Sequence, residues 1–177
     1  MRVERMLLWI ASMLALALMG CSGATGNSSK SEGRDYSAGL KNLMVEDLSG
    51  KPLPFDQWVG NDVIVISFWA TFCKPCKSEM PFLQKLHEAY GAKGLRVVGI
   101  SLDPPDTESS VRPLVQRNRY TYSVAIDRQS SATRLLNRKG VLPFLLVFDR
   151  NGRLILKKDG FSMGDQGEIE KLVKGLL

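Results

Sequence analysis

The apolar positions of this 177-residue chain fall into runs with two different periods, and those periods predict its strands and helices. Residues 63–70, VIVISFWA, form a continuous β-branched and aromatic run, which is typical of a strand buried on both faces. Residues 95–103, LRVVGISLD, have the same character. Between them, the apolar residues of 74–90 recur at helical spacing, and Gly91 and Gly94 end that predicted helix.

The remaining segments continue the alternation of strand and helix. Residues 40–58 predict a short strand, a turn at Gly50 and a second short extended piece, and residues 104–120 predict a helix whose early part is disfavoured by Pro113. A short strand (123–127), a helix (129–138), two strands joined by the tight turn DRNG (144–149 and 153–158) and a closing helix (164–177) follow. This order predicts an α/β fold, a central mixed sheet with helices on both faces, parallel central strands and an antiparallel final hairpin.

The first 38 residues lack this alternation and predict a leader and a tether. Two arginines precede an apolar run over 6–19, which is short for a bilayer span and typical of a signal peptide. The run ends in LMGC, which resembles the bacterial lipobox and implies that Cys21 is lipidated and becomes the mature N-terminus. The alternative is an uncleaved anchor or a plain signal peptide. Residues 21–38 are small and polar, so we expect a flexible tether and a folded domain over 39–177.

The net charge of +6 changes this picture little, because the basic residues are scattered among acidic ones. No block of lysines and arginines resembles those that follow a phosphate backbone, so we expect no nucleic-acid partner. Export through the predicted leader would place the domain in the bacterial cell envelope, outside the cytoplasm, where disulfides persist.

The two remaining cysteines, Cys73 and Cys76, lie directly after the first buried strand and before the first long helix. A structural zinc site needs four ligands, and one C-x-x-C pair with the single histidine, His87, does not supply them, so we expect no metal. His87 is expected to be an ordinary surface or packing residue. Copper(I) is harder to exclude, because it accepts two thiolates and a thioether. A purely structural disulfide is also a weak explanation, since this loop is too short to restrain much chain entropy.

Redox chemistry explains the pair better. At a helix entry, unpaired backbone N–H groups and the positive end of the helix dipole stabilise a thiolate, and such positions lower the pKa of a cysteine thiol. Cys76 follows one turn later, where it can attack a mixed disulfide formed by Cys73. Pro75 suits the first helical turn, and Lys74 adds positive charge beside the thiolate.

Several motifs make a resemblance specific. FWATFCKPC, residues 68–76, resembles the strand, turn and helix of the thioredoxin active site, and CKSEMP, residues 76–81, resembles the kinked first helix of that fold. Glu79-Met80-Pro81, with GVLPFLLVFDRNGRL over 140–154, is similar to membrane-tethered thioredoxin-like proteins of the TlpA/ResA type. The resemblance runs from about Leu40 to the C-terminus. It implies a thioredoxin-like fold with extra N-terminal strands and a mid-domain strand–helix insertion over 105–127.

The resemblance also implies roles for further residues. It implies a cis bond between Leu142 and Pro143 beside the cysteines, with the Leu142 backbone pairing with extended substrate; a trans proline at a strand's first residue is the alternative. Glu79 could carry the proton of Cys76, or it could be a solvated helix residue that pairs with Lys77 or Lys85.

Three aromatic or polar positions depart from the common thioredoxin pattern. Ser67 stands where cytosolic thioredoxins carry a buried aspartate, Phe72 replaces the usual tryptophan, and Phe144 follows the proline where threonine is common. These departures concern substrate fit and redox poise. We expect Phe72, Lys74, Pro75 and Leu142 to contact substrate, although Phe72 could instead pack. Trp69 is expected in the core.

We therefore expect a lipid-anchored, monomeric thiol–disulfide oxidoreductase with Cys73, Cys76, Glu79 and Pro143 as its catalytic residues and no cofactor beyond the disulfide. Its expected partners are disulfides of exported proteins, including apocytochromes c or copper-site proteins, and a membrane electron donor. Reduction is favoured over oxidation by resemblance alone. The alternatives are a disulfide-introducing oxidase and a copper-binding chaperone. A peroxidase is disfavoured, because Ala70 stands where the pattern P-x-x-x-T-x-x-C requires threonine before Cys73.

Overall fold

The computed structural model describes residues 33–177, which fold into a six-stranded sheet with helices on both faces. The strands are β1 (Glu46–Asp47), β2 (Val63–Trp69), β3 (Leu95–Ser101), β4 (Ser123–Ile126), β5 (Phe144–Phe148) and β6 (Leu154–Asp159). The helices are α1 (Ser37–Lys41), α2 (Phe55–Trp58), α3 (Lys74–Tyr90), α4 (Val111–Arg117), α5 (Ser131–Leu136) and α6 (Asp165–Leu176), with 3₁₀ turns at Gly91–Lys93 and Glu108–Ser110. The predicted signal peptide, Cys21 and the first part of the tether lie outside the described residues.

The sheet has the strand order β1-β4-β3-β2-β5-β6. Strand β2 pairs in parallel with β3, and β3 in parallel with β4, whereas the pairs β2–β5, β5–β6 and β1–β4 are antiparallel. The predicted mixed sheet, with parallel central strands and an antiparallel final hairpin, is confirmed. Because β2 lies in the middle of the sheet, its last residue lies near the centre of the end of the sheet at which the parallel strands finish. Cys73 follows β2 at this end.

The central strands are buried on both faces, as their continuous apolar runs predict. All seven residues of β2 are buried. Val65 and Trp69 pack into a core that includes residues of α3, α4 and α6. Ile66 and Phe68 pack into the opposite core with residues of α1, α2 and α5. Two apolar layers therefore hold β2 in place and fix the start of the turn that leads to the cysteines.

The N-terminal segment differs from the prediction in two ways. The prediction of a second extended segment is wrong for the residues after Pro52. Pro52 itself makes only an isolated bridge with Glu46. Phe55 instead begins α2, because its buried ring packs edge-on against Trp58 with ring centroids 5.0 Å apart. The folded domain also begins earlier than residue 39, since the backbone N–H of Tyr36 donates to the carbonyl of Gly152 at 2.9 Å.

Residues 105–127, for which the resemblance implies a strand–helix insertion, contain helix α4 followed by strand β4. Helix α4 begins at Val111, which places Pro113 in the first turn, where a missing N–H removes no helical hydrogen bond. Pro81 lies inside α3, where its missing N–H cannot bond the carbonyl of Lys77. Among residues 33–177, no helix has both the length and the apolar character needed to cross a bilayer.

Candidate active site

Cys73 and Cys76 form a disulfide at the amino end of α3, with their Cα atoms 5.3 Å apart. Cys73 is the N-cap residue, and its sulfur accepts a hydrogen bond from the backbone N–H of Cys76 at 3.2 Å. Helix α3 has 17 residues, and its unpaired N–H groups and the positive end of its dipole lie at its first turn. Because Cys73 is the N-cap residue, both face its sulfur. The predicted location of the pair is confirmed.

The two cysteines differ in their access to solvent. Cys73 keeps 8% of its surface exposed, whereas Cys76 is completely buried. Cys73 is therefore the cysteine with surface available to a partner, as attack by Cys73 and resolution by Cys76 would require.

The residues around Cys73 in the chain are open to solvent. Phe72 is 62% exposed, so it does not pack into the core. Lys74 and Pro75, the first two residues of α3, are also exposed. These three side chains are therefore exposed next to Cys73 in the chain, and their contact with substrate stays a prediction.

The loop before β5 lies at the same sheet edge. β5 is antiparallel to β2, and Phe144 is the register partner of Phe68, so Pro143 lies where β2 ends. The Leu142–Pro143 peptide bond is cis, as the resemblance implied. The Asn137 side chain holds the loop by bonding the backbone of Val141 in both directions, at 2.9 and 3.0 Å.

Some backbone N–H and carbonyl groups of this loop are hydrogen-bonded within the protein, and others are not. The Pro143 carbonyl accepts a hydrogen bond from the N–H of Gly160 at 2.9 Å. The N–H and carbonyl of Leu142 bond to no residue within 33–177. Leu142 therefore presents backbone groups that an extended segment of a partner could pair with.

Glu79 is buried one helical turn after Cys76, with 1% of its surface exposed. It is not the solvated residue of the alternative interpretation. Its Oε2 accepts a hydrogen bond from the Ser67 hydroxyl at 2.5 Å, whereas its Oε1 has no partner within the described chain. Burial, opposed by the Ser67 hydrogen bond and aided by the negative charge of Asp165, raises the pKa of Glu79 to about 7. Such a carboxyl group can exchange a proton near neutral pH.

Asp103 is a buried residue of the site that the sequence did not indicate. Its carboxylate accepts hydrogen bonds from the N–H of Thr71 at 2.9 Å, from the Thr71 hydroxyl, and from the hydroxyls of Ser101 (2.7 Å) and Thr107 (2.8 Å). Asp103 thereby fixes the turn that carries Phe72 and Cys73. The position of Asp103 in the sequence could have identified it, since it follows the carboxyl end of β3, where polar residues of parallel sheets often belong to a functional site.

Trp69 packs in the core, as predicted, with 1% exposure. Its indole and the ring of Tyr122 both lie against Gly99, where a Cβ atom would come within 3.2 Å of Trp69 Nε1 and 3.0 Å of Tyr122 Cε2. Neither Trp69 Nε1 nor the Tyr122 hydroxyl has a hydrogen-bond partner within residues 33–177. His87 lies on α3, half-buried, as a packing residue.

The described residues contain no group of three or more His, Cys, Asp or Glu side chains that could hold a metal ion. Met80, the methionine nearest the cysteines in the chain, is buried in the core at 1% exposure. The geometry described above is that of a disulfide at the amino end of a helix. A C-x-x-C disulfide at the leading end of a helix, on a central mixed sheet beside a cis-proline loop, defines a thiol–disulfide oxidoreductase of the thioredoxin-like fold.

Comparison with known proteins agrees with this class. The chain belongs to the AhpC/TSA family, whose model matches residues 38–157. It is 32% identical over 161 residues to the thiol-disulfide oxidoreductase ResA of Bacillus cereus. The alignment covers 88% of this chain and 90% of that protein. ResA of Bacillus thuringiensis is 31% identical over 161 residues, with the same coverage.

Solved structures show the same fold. An uncharacterized thioredoxin-like protein from Porphyromonas gingivalis superposes with a TM-score of 0.63 at 27% identity, over 81% of this chain and 94% of that one. A thiol:disulfide interchange protein of the thioredoxin family from Chlorobium tepidum gives a TM-score of 0.63 at 21% identity, over 76% of this chain and 94% of that one. The thioredoxin-like fold and the ResA-type thiol–disulfide oxidoreductase predicted from the sequence are confirmed.

Proposed function

We propose that this oxidoreductase reduces disulfides of exported proteins while anchored to a bacterial membrane through a lipidated Cys21. The observation that carries the proposal is the Cys73 sulfur at the N-cap of α3, which accepts the Cys76 N–H and is the more accessible of the two sulfurs. A thiolate in that position is stabilised for attack on a partner disulfide.

The reaction proceeds in two exchanges. The Cys73 thiolate attacks one sulfur of the partner disulfide, the partner S–S bond breaks, and the other partner sulfur leaves as a thiolate that takes up a proton. The Cys76 thiolate then attacks the Cys73 sulfur, and the second partner sulfur leaves. Two electrons have passed to the partner, and the Cys73–Cys76 disulfide has formed. A membrane dithiol donor returns two electrons and two protons to the enzyme.

Glu79 supports the second exchange. Cys76 is completely buried, so its thiol needs a nearby acceptor before it can attack. The Glu79 carboxylate is one helical turn away, and its pKa of about 7 lets it take that proton near neutral pH. Ser67 holds the carboxylate through its hydroxyl.

The partner segment binds across the cis-proline loop. The free N–H and carbonyl of Leu142 pair with the extended backbone of the partner next to its cysteine, and Pro143 keeps this loop beside the sulfurs. Phe72, Lys74 and Pro75 are the exposed neighbours of Cys73 in the chain and contact the same partner.

A Cys76→Ser variant tests the proposal directly. It should stall as a mixed disulfide with its partner, because the resolving sulfur is absent. Expressed as the full chain in a bacterial envelope, it should capture exported proteins in complexes that a reductant releases. The matched control is Cys73→Ser, which should capture none. If Cys73→Ser captures the same proteins and Cys76→Ser does not, the assigned roles of the two cysteines are wrong.

The direction of transfer and the rival functions require separate measurements. Equilibration with glutathione should give a potential well below that of oxidising enzymes such as DsbA, at about −120 mV, because a reductant must favour its disulfide form. A potential near that value would favour the oxidase. Stoichiometric copper(I) binding without disulfide reduction would favour the copper chaperone. Captured proteins containing haem-binding or copper-binding cysteines would identify the class of client.

The anchor, the location and the oligomeric state are further parts of the proposal. Cys21 lies outside the described residues, and its support is the LMGC sequence. Labelling cells with radioactive palmitate should mark the wild-type protein and not Cys21→Ala, and the wild-type domain should be accessible to protease only once the outer barrier is opened. The purified chain should sediment as a monomer with no bound cofactor.

A further inference from the structure

A groove of about 460 Å³ lies beside the disulfide, on the side formed by the mid-domain insertion. One wall is the active-site turn and the first turns of α3, with Thr71, Phe72 and Lys77. The other wall is the insertion, where α4 contributes Leu114 and Arg117. The groove therefore lies between α4 and the active-site turn that leads to Cys73.

The lining of the groove combines apolar surface with positive charge. Phe72 and Leu114 supply apolar side chains, and Lys77 and Arg117 supply two exposed cations. Within the described part of the chain, no carboxylate lines the groove. Neither cation has an acidic partner within 4 Å among residues 33–177, whereas Arg128 is paired with Glu108. The groove thus presents unneutralised positive charge next to an exposed aromatic ring.

The two walls are held to each other by a buried residue. Asp103 bonds the backbone and hydroxyl of Thr71 on one side and the hydroxyl of Thr107, at the start of the insertion, on the other. Asp103 as a whole is 6% exposed. The groove is therefore built into the fold before any partner arrives, which lowers the cost of ordering on binding.

We propose that this groove selects partners that carry a carboxylate side chain, Asp or Glu, beside an apolar residue close to their reactive cysteine. The inference rests on the proposed function, since it concerns the substrate of the same two sulfurs. Phe72 and Leu114 contact the apolar residue, and Lys77 and Arg117 bind the carboxylate.

The position of the carboxylate follows from the geometry of α3. Lys77 is four residues after Cys73, and its N–H bonds the Cys73 carbonyl at 3.3 Å, so it lies about one turn, roughly 5–6 Å, along the helix. An extended peptide advances about 3.3 Å per residue. A carboxylate two residues from the partner cysteine therefore reaches Lys77 while the sulfurs are in contact.

Matched peptide substrates test the preference. Two disulfide-bonded peptides differ only at the second residue from the cysteine, which is Glu in one and Gln in the other. The wild-type chain should reduce the Glu peptide with a kcat/KM about three- to tenfold higher, as two exposed ion pairs allow, with the difference mainly in KM. High salt should reduce the preference, because exposed charges are screened.

Charge variants connect the preference to the groove. The double variant Lys77→Gln and Arg117→Gln should abolish it, and Lys77→Glu with Arg117→Glu should reverse it. The control is Lys85→Glu with Lys171→Glu, which changes the net charge equally at exposed lysines outside the groove and should keep the preference. The ratio of the two peptides is the readout, so it does not depend on the absolute activity of a variant.

Three outcomes would overturn the inference. Equal kcat/KM for the two peptides with the wild-type chain would show that the groove does not select charge. An equal loss of preference in the control would show that only net charge matters. If the wild-type chain reduces neither peptide, the proposed reductase function fails first, and the inference that rests on it fails with it.

Discussion

The Ser67 hydroxyl donates a hydrogen bond to Oε2 of Glu79 at 2.5 Å, and both residues are buried. Ser67 belongs to β2 and Glu79 to α3, so this bond joins the central strand to the helix that carries the cysteines. Cytosolic thioredoxins carry a buried aspartate at the position of Ser67, so the strand of this protein has a hydroxyl in place of that carboxyl group. The buried carboxyl group next to Ser67 comes from the helix, and the strand supplies the hydroxyl that orients it.

Glu79→Gln should remove a component of the pH dependence of stability. Burial raises the pKa of Glu79 from 4.5 to about 7 in the folded protein. Between these values the folded protein keeps a proton that the unfolded chain has released, so stability falls as pH rises through this window. The contribution of Glu79, taken as the difference between the oxidised wild type and Glu79→Gln, should fall by about 3 kcal/mol between pH 4 and pH 8.

Urea denaturation at several pH values measures this loss. Glu79→Gln should show a much flatter profile across the same window, whereas Glu88→Gln, at an exposed position of the same helix, should follow the wild type. A Glu79→Gln profile that parallels the wild-type profile between pH 5 and pH 7 would contradict the raised pKa.

Ser67→Ala should raise the pKa of Glu79 further. The Ser67 hydrogen bond stabilises the carboxylate and so lowers that pKa against the larger effect of burial. Without the hydroxyl, the carboxylate loses its one described hydrogen bond, and its protonated form becomes more favourable. The carboxyl carbon of Glu79, followed by NMR as pH is varied, should titrate at higher pH in the variant. An unchanged or lower midpoint would show that the bond does not act on the charged form.

Asp103→Asn should weaken both the fold and the reaction. The carboxylate accepts four hydrogen bonds from Thr71, Ser101 and Thr107, and an amide cannot accept all of them. The free energy of unfolding should fall by about 1–3 kcal/mol, and kcat/KM for a peptide disulfide should fall because the turn before Cys73 loosens. Asp106→Asn, at an exposed position three residues later, should change stability by less than about 0.5 kcal/mol. Equal effects of the two substitutions would remove the role of Asp103.

A matched pair of tyrosines separates a bonded hydroxyl from an unbonded one. The Tyr90 hydroxyl donates to Glu170 at 2.6 Å, whereas the buried Tyr122 hydroxyl has no partner within the described chain. Tyr90→Phe should lower the free energy of unfolding by about 1 kcal/mol, and Tyr122→Phe should leave it unchanged or raise it by up to about 1 kcal/mol. Thermal unfolding of both variants measures the contrast. A destabilised Tyr122→Phe would show that its hydroxyl is bonded in solution.

The parts of this protein that the sequence predicted are those with local signals. The buried runs of β2 and β3 and the helical spacing of α3 depend on neighbouring residues, and the C-x-x-C pair lies within one turn of a helix. The bonds of Ser67 and Asp103 join residues 12 and 32 positions apart, and only the packed sheet brings them together. The error at α2 has the same origin, since the burial of Phe55 in the core selects a helix where Pro52 and Pro54 favour an extended chain.

The attachment of the N-terminal segment to the domain can be tested at one glycine. Gly152 has φ +78, and a Cβ there would lie 2.8 Å from the Cα of Ser37, whose neighbour Tyr36 bonds the Gly152 carbonyl. Gly152→Ala should therefore lower the free energy of unfolding by about 2–3 kcal/mol and free residues 34–38 for proteolysis. At Gly167 in α6, an added Cβ would meet no atom within 4 Å, so Gly167→Ala should instead raise the free energy of unfolding by about 0.5–1 kcal/mol. If both alanines had the same effect, the close approach of residues 37 and 152 would be wrong.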